Sequence, residues 1–174
     1  LRYNERIAID GRPVEDQGII AAFDRVDLAR EDTSLSFFEF GTLAALDIFS
    51  TAGLDARILE VGLGGRLDAV NSVDADLALI ASIDIDHREW LGDTREVIGH
   101  EKAGIMRQGR PAVIADPEPP DSVIRFSALQ GAPLYRPGVD FGHERSDTVW
   151  DWWGGGQRWT ALPEPAIPGE HQFQ

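Results

Sequence analysis

Short runs of apolar residues, separated by stretches with helical periodicity, constrain the fold of this chain most. The runs contain few charged residues, which is typical of strands buried on both faces of a sheet. They lie at residues 56–61, 76–83 and 111–115. Apolar residues spaced three and four apart predict helices at residues 19–30, 37–49, 94–106 and 122–130. This alternation indicates an α/β domain with a largely parallel sheet flanked by helices.

The second predicted helix has the clearest local signals. Thr33 or Ser34 is expected to cap its N-terminus, and Gly53 is expected to end it. An apolar stripe along this helix is expected to face the core. Its members are Phe37, Phe40, Leu43, Ala44 and Ile48.

Near the C-terminus the pattern becomes that of a small antiparallel β-hairpin. Residues 148–153 and 158–162 are rich in tryptophan and β-branched residues, and residues 154–156 are all glycine. Aromatic residues in a hairpin more often pack across strands than stack on nucleic-acid bases. A structural role is therefore predicted for these tryptophans.

Composition excludes several classes of protein. The 16 basic and 30 acidic residues give a formal charge of −14, so neither nucleic acid nor an anionic membrane is expected as a partner. The chain has no cysteine, which excludes disulfides, cysteine zinc sites and thiol nucleophiles. No apolar run reaches the roughly 20 residues that span a bilayer. No signal-peptide pattern is visible either, so a cytoplasmic protein is expected.

Several familiar catalytic motifs are missing from the sequence. Residues 62–65 read GLGG, but position 67 is leucine where a dinucleotide-binding fingerprint needs its third glycine. The chain also lacks a G-x-x-x-x-G-K-[ST] phosphate loop, a G-x-S-x-G elbow and an H-E-x-x-H zinc motif. A complete nucleotide site and hydrolases of these types are therefore not expected.

Side chains capable of chemistry instead follow the predicted strands. Glu60 closes the first strand, His87 follows the second, and Lys102 lies in the next helix. Open α/β sheets bind ligands at the carboxyl ends of strands, where Glu60 and His87 can share one divalent cation with water and phosphate oxygens. Alternatively, Glu60 pairs with Arg66, and His87 caps a helix or is hydrogen-bonded for a structural reason alone. An unpaired glutamate inside an apolar run is costly, but spacing alone leaves both interpretations open.

Longer motifs surround these candidate residues. Residues 58–71 read ILEVGLGGRLDAVN, residues 82–87 read SIDIDH, and residues 101–105 read EKAGI. In this order they resemble the signatures of the dihydrofolate synthase/folylpolyglutamate synthase family, a branch of the Mur ligase superfamily. Val70 departs from the threonine usual at that point, and the resemblance weakens after about Val123. Further similar segments lie at residues 1–6, 35–40 and 90–92.

The resemblance implies a Mur ligase central domain of the P-loop type, incomplete at its N-terminus. Residues 1–174 would form one partial domain, because the family's phosphate-binding loop precedes this segment. The family's adenine contacts and glutamate-binding domain follow it, so no ATP-binding residue is expected here. The chain lacks an initiator methionine, and we expect a catalytically silent piece that self-associates through exposed sheet edges. The full-length protein is expected to be a monomer.

The activity that the resemblance implies is an ATP- and Mg²⁺-dependent ligation. L-glutamate is joined to dihydropteroate, or to a tetrahydrofolate, through an acyl phosphate. In the family, the residues matched by Glu60 and His87 bind Mg²⁺. The lysine matched by Lys102 is carbamylated there, which turns a cation into an anionic group and requires a neutral amine.

The resemblance also implies a pterin pocket. The family residues that line it are matched here by Ser36, Phe37, Phe38, Glu39, Leu67, Asp68 and Ala69. Core packing is still preferred for Phe37 and Phe40, because both lie on the helical stripe. For Asp68 the alternative is a structural acid in a turn.

Two other functions remain open. A Mur-type ligase of cell-wall synthesis has the same superfamily fold, but residues 37–39 and 62–71 favour a folate substrate over a nucleotide sugar. A non-catalytic remnant would keep the fold, and nothing within the 174 residues separates it from a segment of an active ligase.

Overall fold

A computed structural model describes residues 2–146, 148–167 and 169–173. The chain divides into two compact units. One comprises Leu1–Leu63 and Asp68–Ser72, and the other comprises Gly64–Leu67 and Val73–Gln174. Within the described ranges, no helix is both long enough and apolar enough to cross a membrane.

The first unit is built on two helices that pack against each other. Its elements are a 3-10 helix (Tyr3–Arg6), strands β1 (Ala8–Ile9) and β2 (Arg12–Pro13), helices α1 (Asp16–Arg30) and α2 (Phe37–Thr51), and a 3-10 helix (Ala69–Ser72). The two strands pair antiparallel. Both predicted helices are confirmed. Their shared core consists of Ile7, Ile19, Ala22, Val26, Ala44 and Ile48.

The start of α2 differs from the prediction. Ser36 caps the helix, rather than Thr33 or Ser34. The N–H of Thr33 donates instead to the carbonyl of Arg30 (2.8 Å), so Thr33 belongs to the turn that follows α1. Ser36 and Glu39 match the S-x-x-E capping box, which is the local signal that identifies the cap from sequence.

The predicted core stripe of α2 is only partly correct. Ala44 and Ile48 are buried, and Phe40 packs against Phe23 with ring centroids 5.3 Å apart. Phe37, by contrast, is 71% exposed, because it lies in the first turn and meets Tyr3 edge-to-face (5.7 Å) rather than the core. Leu43 is also exposed.

The apolar run at residues 56–61 does not form the predicted strand. It has no regular secondary structure, and Ile58 is 94% exposed. An apolar run becomes a strand only where a neighbouring strand takes up its backbone hydrogen bonds. No strand among the described residues pairs with this one, so the prediction from apolar character is wrong.

The second unit contains the predicted parallel sheet and its helices. Its strands are β3 (Ala78–Ile80), β4 (Ala112–Ile114) and β5 (Leu134–Tyr135), and its helices are α3 (Arg88–Leu91), α4 (Arg95–Ala103) and α5 (Asp121–Gln130). The sheet order is β3-β4-β5, with all neighbours parallel. The prediction that this strand is buried on both faces is wrong for β3. Leu79 is 64% exposed, whereas Ala78 and Ile80 on either side of it are buried. The core between sheet and helices includes Ile80, Ile98, Met106, Ile114 and Val123.

The predicted hairpin is part of a three-stranded antiparallel sheet. Strands β7 (Val149–Gly154) and β8 (Gln157–Pro163) form the hairpin, and β6 (Phe141–Arg145) pairs with β7. The two turn residues, Gly155 and Gly156, have positive φ values of 57° and 75°, as a type I′ turn requires. Trp152 and Trp159 meet across the strands at 5.0 Å, in line with the predicted packing role.

One carboxylate joins the two longer helices of this unit. Glu96 on α4 accepts hydrogen bonds from the N–H groups of Ser122 (2.8 Å) and Asp121 (3.1 Å), in the first turn of α5. These donors, with Ser122 the stronger, hold the pKa of Glu96 below its ordinary value of 4.5. The charge also favours the positive end of the α5 dipole.

We therefore predict an acid-dependent contribution of Glu96 to stability. A lowered pKa in the folded state means that the contribution is fully present above 4.5 and is lost as the pH falls through the lowered pKa. Glu96→Gln should reduce stability at neutral pH and flatten its decline below pH 4.5, as measured by urea unfolding at a series of pH values. Glu89→Gln, a matched change on α3, should leave that decline intact; the same flattening in both variants would contradict the assignment.

Candidate functional site

A single carboxylate organises the start of the glycine-rich loop. Asp68 accepts hydrogen bonds from the N–H groups of Gly62 (3.1 Å) and Leu63 (3.0 Å) through one oxygen, and of Val70 (2.9 Å) through the other. Three backbone donors on one carboxylate close the loop on itself. Asp68 is thus the structural turn acid that the alternative interpretation predicted, whatever else it binds.

The other two residues predicted from this segment flank Asp68. Leu67 is exposed, and Ala69 is half-buried at the start of the second 3-10 helix. Phe38, on α2, lies against the start of the loop, because a Cβ built on Gly62 would come within 2.7 Å of its ring. In the first unit the structure therefore places the ring of Phe38 beside the backbone that Asp68 holds.

Ser36 and Glu39 have a structural task at the N-terminus of α2. The Ser36 hydroxyl accepts from the N–H of Glu39 (3.2 Å), and the Glu39 carboxylate accepts from the N–H of Ser36 (2.6 Å). The hydrogen bonds from Ser36 hold the pKa of Glu39 below its ordinary value. This reciprocal cap satisfies two donors that have no partner within the helix.

The second half of the loop is locked onto the C-terminal end of α4. The N–H of Arg66 donates to the carbonyl of Glu101 (2.9 Å), and its guanidinium pairs with the Glu101 carboxylate (3.0 Å). A Cβ on Gly104 would lie 2.4 Å from the Cβ of Arg66, and one on Gly65 would lie 3.0 Å from the Glu101 carbonyl. The close approach therefore requires glycine at both positions. The guanidinium of Arg66 thus pairs with Glu101. The alternative prediction, a pair between Arg66 and Glu60, is wrong.

Lys102 follows Glu101 in the last turn of α4. Its side chain is half-buried, and its ammonium has no hydrogen bond or ion pair with any residue the structure describes. The interpretation of Lys102 as a helix lysine paired with a neighbouring acid is therefore not supported. Lys102 is also the only lysine in the sequence, since every other basic residue is arginine.

Glu60 lies in the first unit and is exposed. The expectation that it is a buried charge in an apolar strand is wrong, because the segment forms no strand. Its carboxylate has no hydrogen bond or ion pair with the part of the chain described here. An exposed carboxylate without such a partner is chemically free to take a cation.

His87 lies in the second unit, directly before α3. Its backbone is left-handed (φ 50°, ψ 43°), a conformation in which histidine is enriched among non-glycine residues. The imidazole does not cap the helix; its Nε2 lies 3.6 Å from the Asp86 carboxylate, and the side chain is 60% exposed. Within residues 2–146, 148–167 and 169–173, no group of three His, Cys, Asp or Glu side chains is arranged to hold a metal.

An ion pair of the second unit whose carboxylate is buried was not predicted from the sequence. Asp116, two residues beyond β4, is 4% exposed and contacts Arg95 of α4 at 2.7 Å. The available signal was a carboxylate directly after the predicted strand at residues 111–115, much as Glu60 lies near the end of the predicted strand at residues 56–61. Its partner is 21 residues away in sequence, a separation that no local motif reveals.

Comparison with known proteins assigns the family. No family model matches the chain. The curated dihydrofolate synthase/folylpolyglutamate synthase of Escherichia coli (strain K12) is 45% identical over 168 residues, which is 97% of this chain. The structure of E. coli FolC in complex with DHPP and ADP superposes with a TM-score of 0.96 at 43% identity, covering 99% of this chain and 42% of that one. A bifunctional folylpolyglutamate synthase/dihydrofolate synthase with Mn, AMPPNP and L-glutamate bound gives a TM-score of 0.90 at 48% identity, covering 97% and 41%.

The chain belongs to the dihydrofolate synthase/folylpolyglutamate synthase family. It spans about two-fifths of the length of the E. coli relative (40%). The predicted α/β fold, with its parallel sheet and C-terminal antiparallel sheet, is that of the family's solved structures.

The capping box of this family member yields a stability prediction. Ser36→Ala removes the acceptor for the N–H of Glu39 and should lower the free energy of unfolding by about 1 kcal/mol. Ser50→Ala, near the end of the same helix, removes only a hydroxyl that donates to the Asp47 carbonyl (2.7 Å) and should change stability by less than about 0.5 kcal/mol. Urea unfolding of both variants checks this, and equal losses would exclude the capping role.

Proposed function

We propose that the protein carrying this chain is an ATP- and Mg²⁺-dependent ligase that joins L-glutamate to dihydropteroate or to a tetrahydrofolate. The observation that carries the proposal is the intact set of Glu60, His87 and Lys102 within a chain that superposes on FolC bound to DHPP and ADP. The second solved structure, with AMPPNP and L-glutamate bound, supports the other two substrates.

The reaction proceeds in two steps. A carboxylate oxygen of the pteroate or folate attacks the γ-phosphorus of ATP in line, and the bond to the β–γ bridging oxygen breaks to release ADP. The amine of glutamate then attacks the acyl carbon, phosphate leaves, and the amine loses a proton as the amide forms. Each step brings an anion or a lone pair toward a centre surrounded by negative charge.

Glu60 and His87 are the residues that would hold Mg²⁺. The side chains fit that group: Glu60 presents a carboxylate without a partner in the described chain, and His87 presents a largely exposed imidazole. Water and phosphate oxygens commonly complete the coordination of Mg²⁺. The ion would neutralise phosphate charge, which the chain with a net charge of −14 cannot do by its overall field.

Lys102 would act as a carbamate. Its neutral amine attacks the carbon of carbon dioxide, a proton is released, and the product is an anionic oxygen donor that helps hold a second metal. The composition supports this assignment: the chain uses arginine wherever a cation suffices, and arginine stays protonated. A lysine is retained at the one position where a removable proton is required.

The pterin would lie against the first unit. The flat face of Phe38 suits a pterin ring, and the exposed Leu67 and half-buried Ala69, on either side of Asp68 in the sequence, would add apolar contacts. Asp68 holds that loop and has lone-pair capacity beyond its three backbone bonds, while Ser36 and Glu39 fix the first turn of α2. Phe37, exposed beside Phe38, is available to the substrate rather than to the core.

The metal assignment predicts a large loss of activity. In the protein expressed from the complete reading frame, Glu60→Gln or His87→Ala should lower kcat/KM by more than about 100-fold, because metal charge stabilisation is worth several kcal/mol. The assay is ADP release that requires both dihydropteroate and L-glutamate.

Glu15→Gln and His100→Ala are the matched controls and should stay near wild-type activity. Wild-type ADP release that does not depend on a pteroate or folate substrate would contradict the proposal. Complete inactivity of a folded wild-type protein would favour the non-catalytic remnant.

The carbamate predicts an unusual order of variants. Lys102→Glu supplies an anion, whereas Lys102→Arg keeps the cation, so the glutamate variant should retain more activity than the arginine variant. Carbon NMR with isotopically labelled bicarbonate should show a carbamate signal in the wild type that both variants lack. An arginine variant that is the more active of the two, with no carbamate signal in the wild type, would rule the carbamate out.

A further inference from the structure

A buried carboxylate and a partly exposed guanidinium hold the segment that precedes His87. Asp116 is the charged side chain with less than one-tenth exposure in the described part of the chain. One of its oxygens accepts from the N–H of Ile83 (2.8 Å) and from the guanidinium of Arg95 (2.7 Å), and the other from the N–H of Glu118 (2.9 Å). The Asp116 carboxylate thus accepts from two backbone N–H groups and one guanidinium.

Arg95 also binds the backbone of Ile83. Its Nε donates to the carbonyl of Ile83 (2.9 Å), and its Nη2 also donates to the carbonyl of Glu118 (3.0 Å). Both backbone polar groups of Ile83 are therefore taken by this pair, and the Ile83 side chain is buried in the core. We call Arg95 and Asp116 together the Ile83 clamp.

The segment between Ile83 and His87 depends on this clamp for its position. It has no regular secondary structure. The carboxylates of Asp84 and Asp86 accept hydrogen bonds from the N–H of the next residue, both at 2.7 Å, and that of Asp86 also lies 3.6 Å from Nε2 of His87. These bonds shape the segment locally without tying it to the rest of the unit. The described long-range hydrogen bonds of residues 82–87 are the two that Asp116 and Arg95 make to Ile83.

The clamp also goes against two local preferences. A cation at the first position of α4 is unfavourable beside the positive end of the helix dipole, and a buried carboxylate loses its hydration. Departures from local rules occur where a residue serves a site rather than its own element. Arg95 and Asp116 offset each other's cost and together fix a backbone that neither helix nor strand would hold.

We propose that Arg95 and Asp116 are positioning residues of the ligase reaction: they fix Ile83, and through it the left-handed turn that aims the His87 imidazole at the metal. The inference rests on the proposed function, because it assumes that His87 is a metal ligand. Partners outside the first ligand shell typically change metal affinity by about 10–100-fold.

The test compares Asp116→Asn and Arg95→Lys in the protein from the complete reading frame. Paramagnetic resonance measures Mn²⁺ binding, and hydrogen exchange measures protection of the amides of residues 82–90. Both variants should weaken Mn²⁺ binding about tenfold and speed exchange in this segment. Activity at saturating metal should recover, since the ligand itself is intact.

Asp76→Asn is the matched control. It removes the same charge from an exposed ion pair with Arg110 (2.9 Å) just before β3, at the other end of that strand. It should change neither Mn²⁺ binding nor exchange. If Asp116→Asn does not fold by circular dichroism, Arg95→Lys decides, because it keeps the charge and loses the forked geometry.

The outcomes separate the clamp from the proposed function. Wild-type ligation together with unchanged Mn²⁺ binding in Asp116→Asn or Arg95→Lys would overturn the clamp's role and leave the function standing. A wild type that neither binds Mn²⁺ nor ligates would overturn the proposed function, and with it the purpose of the clamp. Weakened binding in both variants but not in the control supports it.

Discussion

The fold depends on carboxylates that accept hydrogen bonds from backbone N–H groups. The parallel strands are only two or three residues long, so their ladders satisfy little of the backbone around them. Asp68 accepts from two N–H groups of the glycine loop and from one in the 3-10 helix that follows it. Glu96 accepts from two at the start of α5, and Asp116 from two beside the sheet. Each of these acids closes a turn or a helix end that would otherwise leave donors unpaired.

Because many acidic side chains have structural roles, the net charge of −14 does not by itself decide which ligands the chain can bind. Considered only by its net charge, the chain would repel anionic ligands such as ATP and folate. Many of the acids are structural, however, and arginines such as Arg66, Arg95 and Arg158 neutralise some of them in ion pairs. Local cations therefore decide what the chain can bind, and a site for anionic substrates is compatible with the composition.

The sequence predicts the long helices and the parallel sheet because their signals are local and repeated. It fails at residues 56–61, since an apolar run does not show whether a neighbouring strand will pair with it. Strands β5 and β6 carry too little alternation to be recognised. The Ile83 clamp was missed for another reason: Arg95 and Asp116 meet across 21 residues, and neither belongs to a motif. Asp68 was found from the family motif and Glu60 from its place near the end of an apolar run, but only the structure shows that Asp68 holds backbone N–H groups and Glu60 does not.

The family motif contains two kinds of residue, those that the fold itself uses and those that it does not. Ser36, Glu39 and Asp68 make hydrogen bonds that the fold requires, so their presence would be expected in any chain that builds α2 and the glycine loop. Glu60 and Lys102 make no polar side-chain contact in the described residues, so the fold gives no reason for a carboxylate or an amine at either position. Residues with no structural task, placed within a motif shared with known ligases, are the ones whose chemistry most needs a substrate or a metal to explain it.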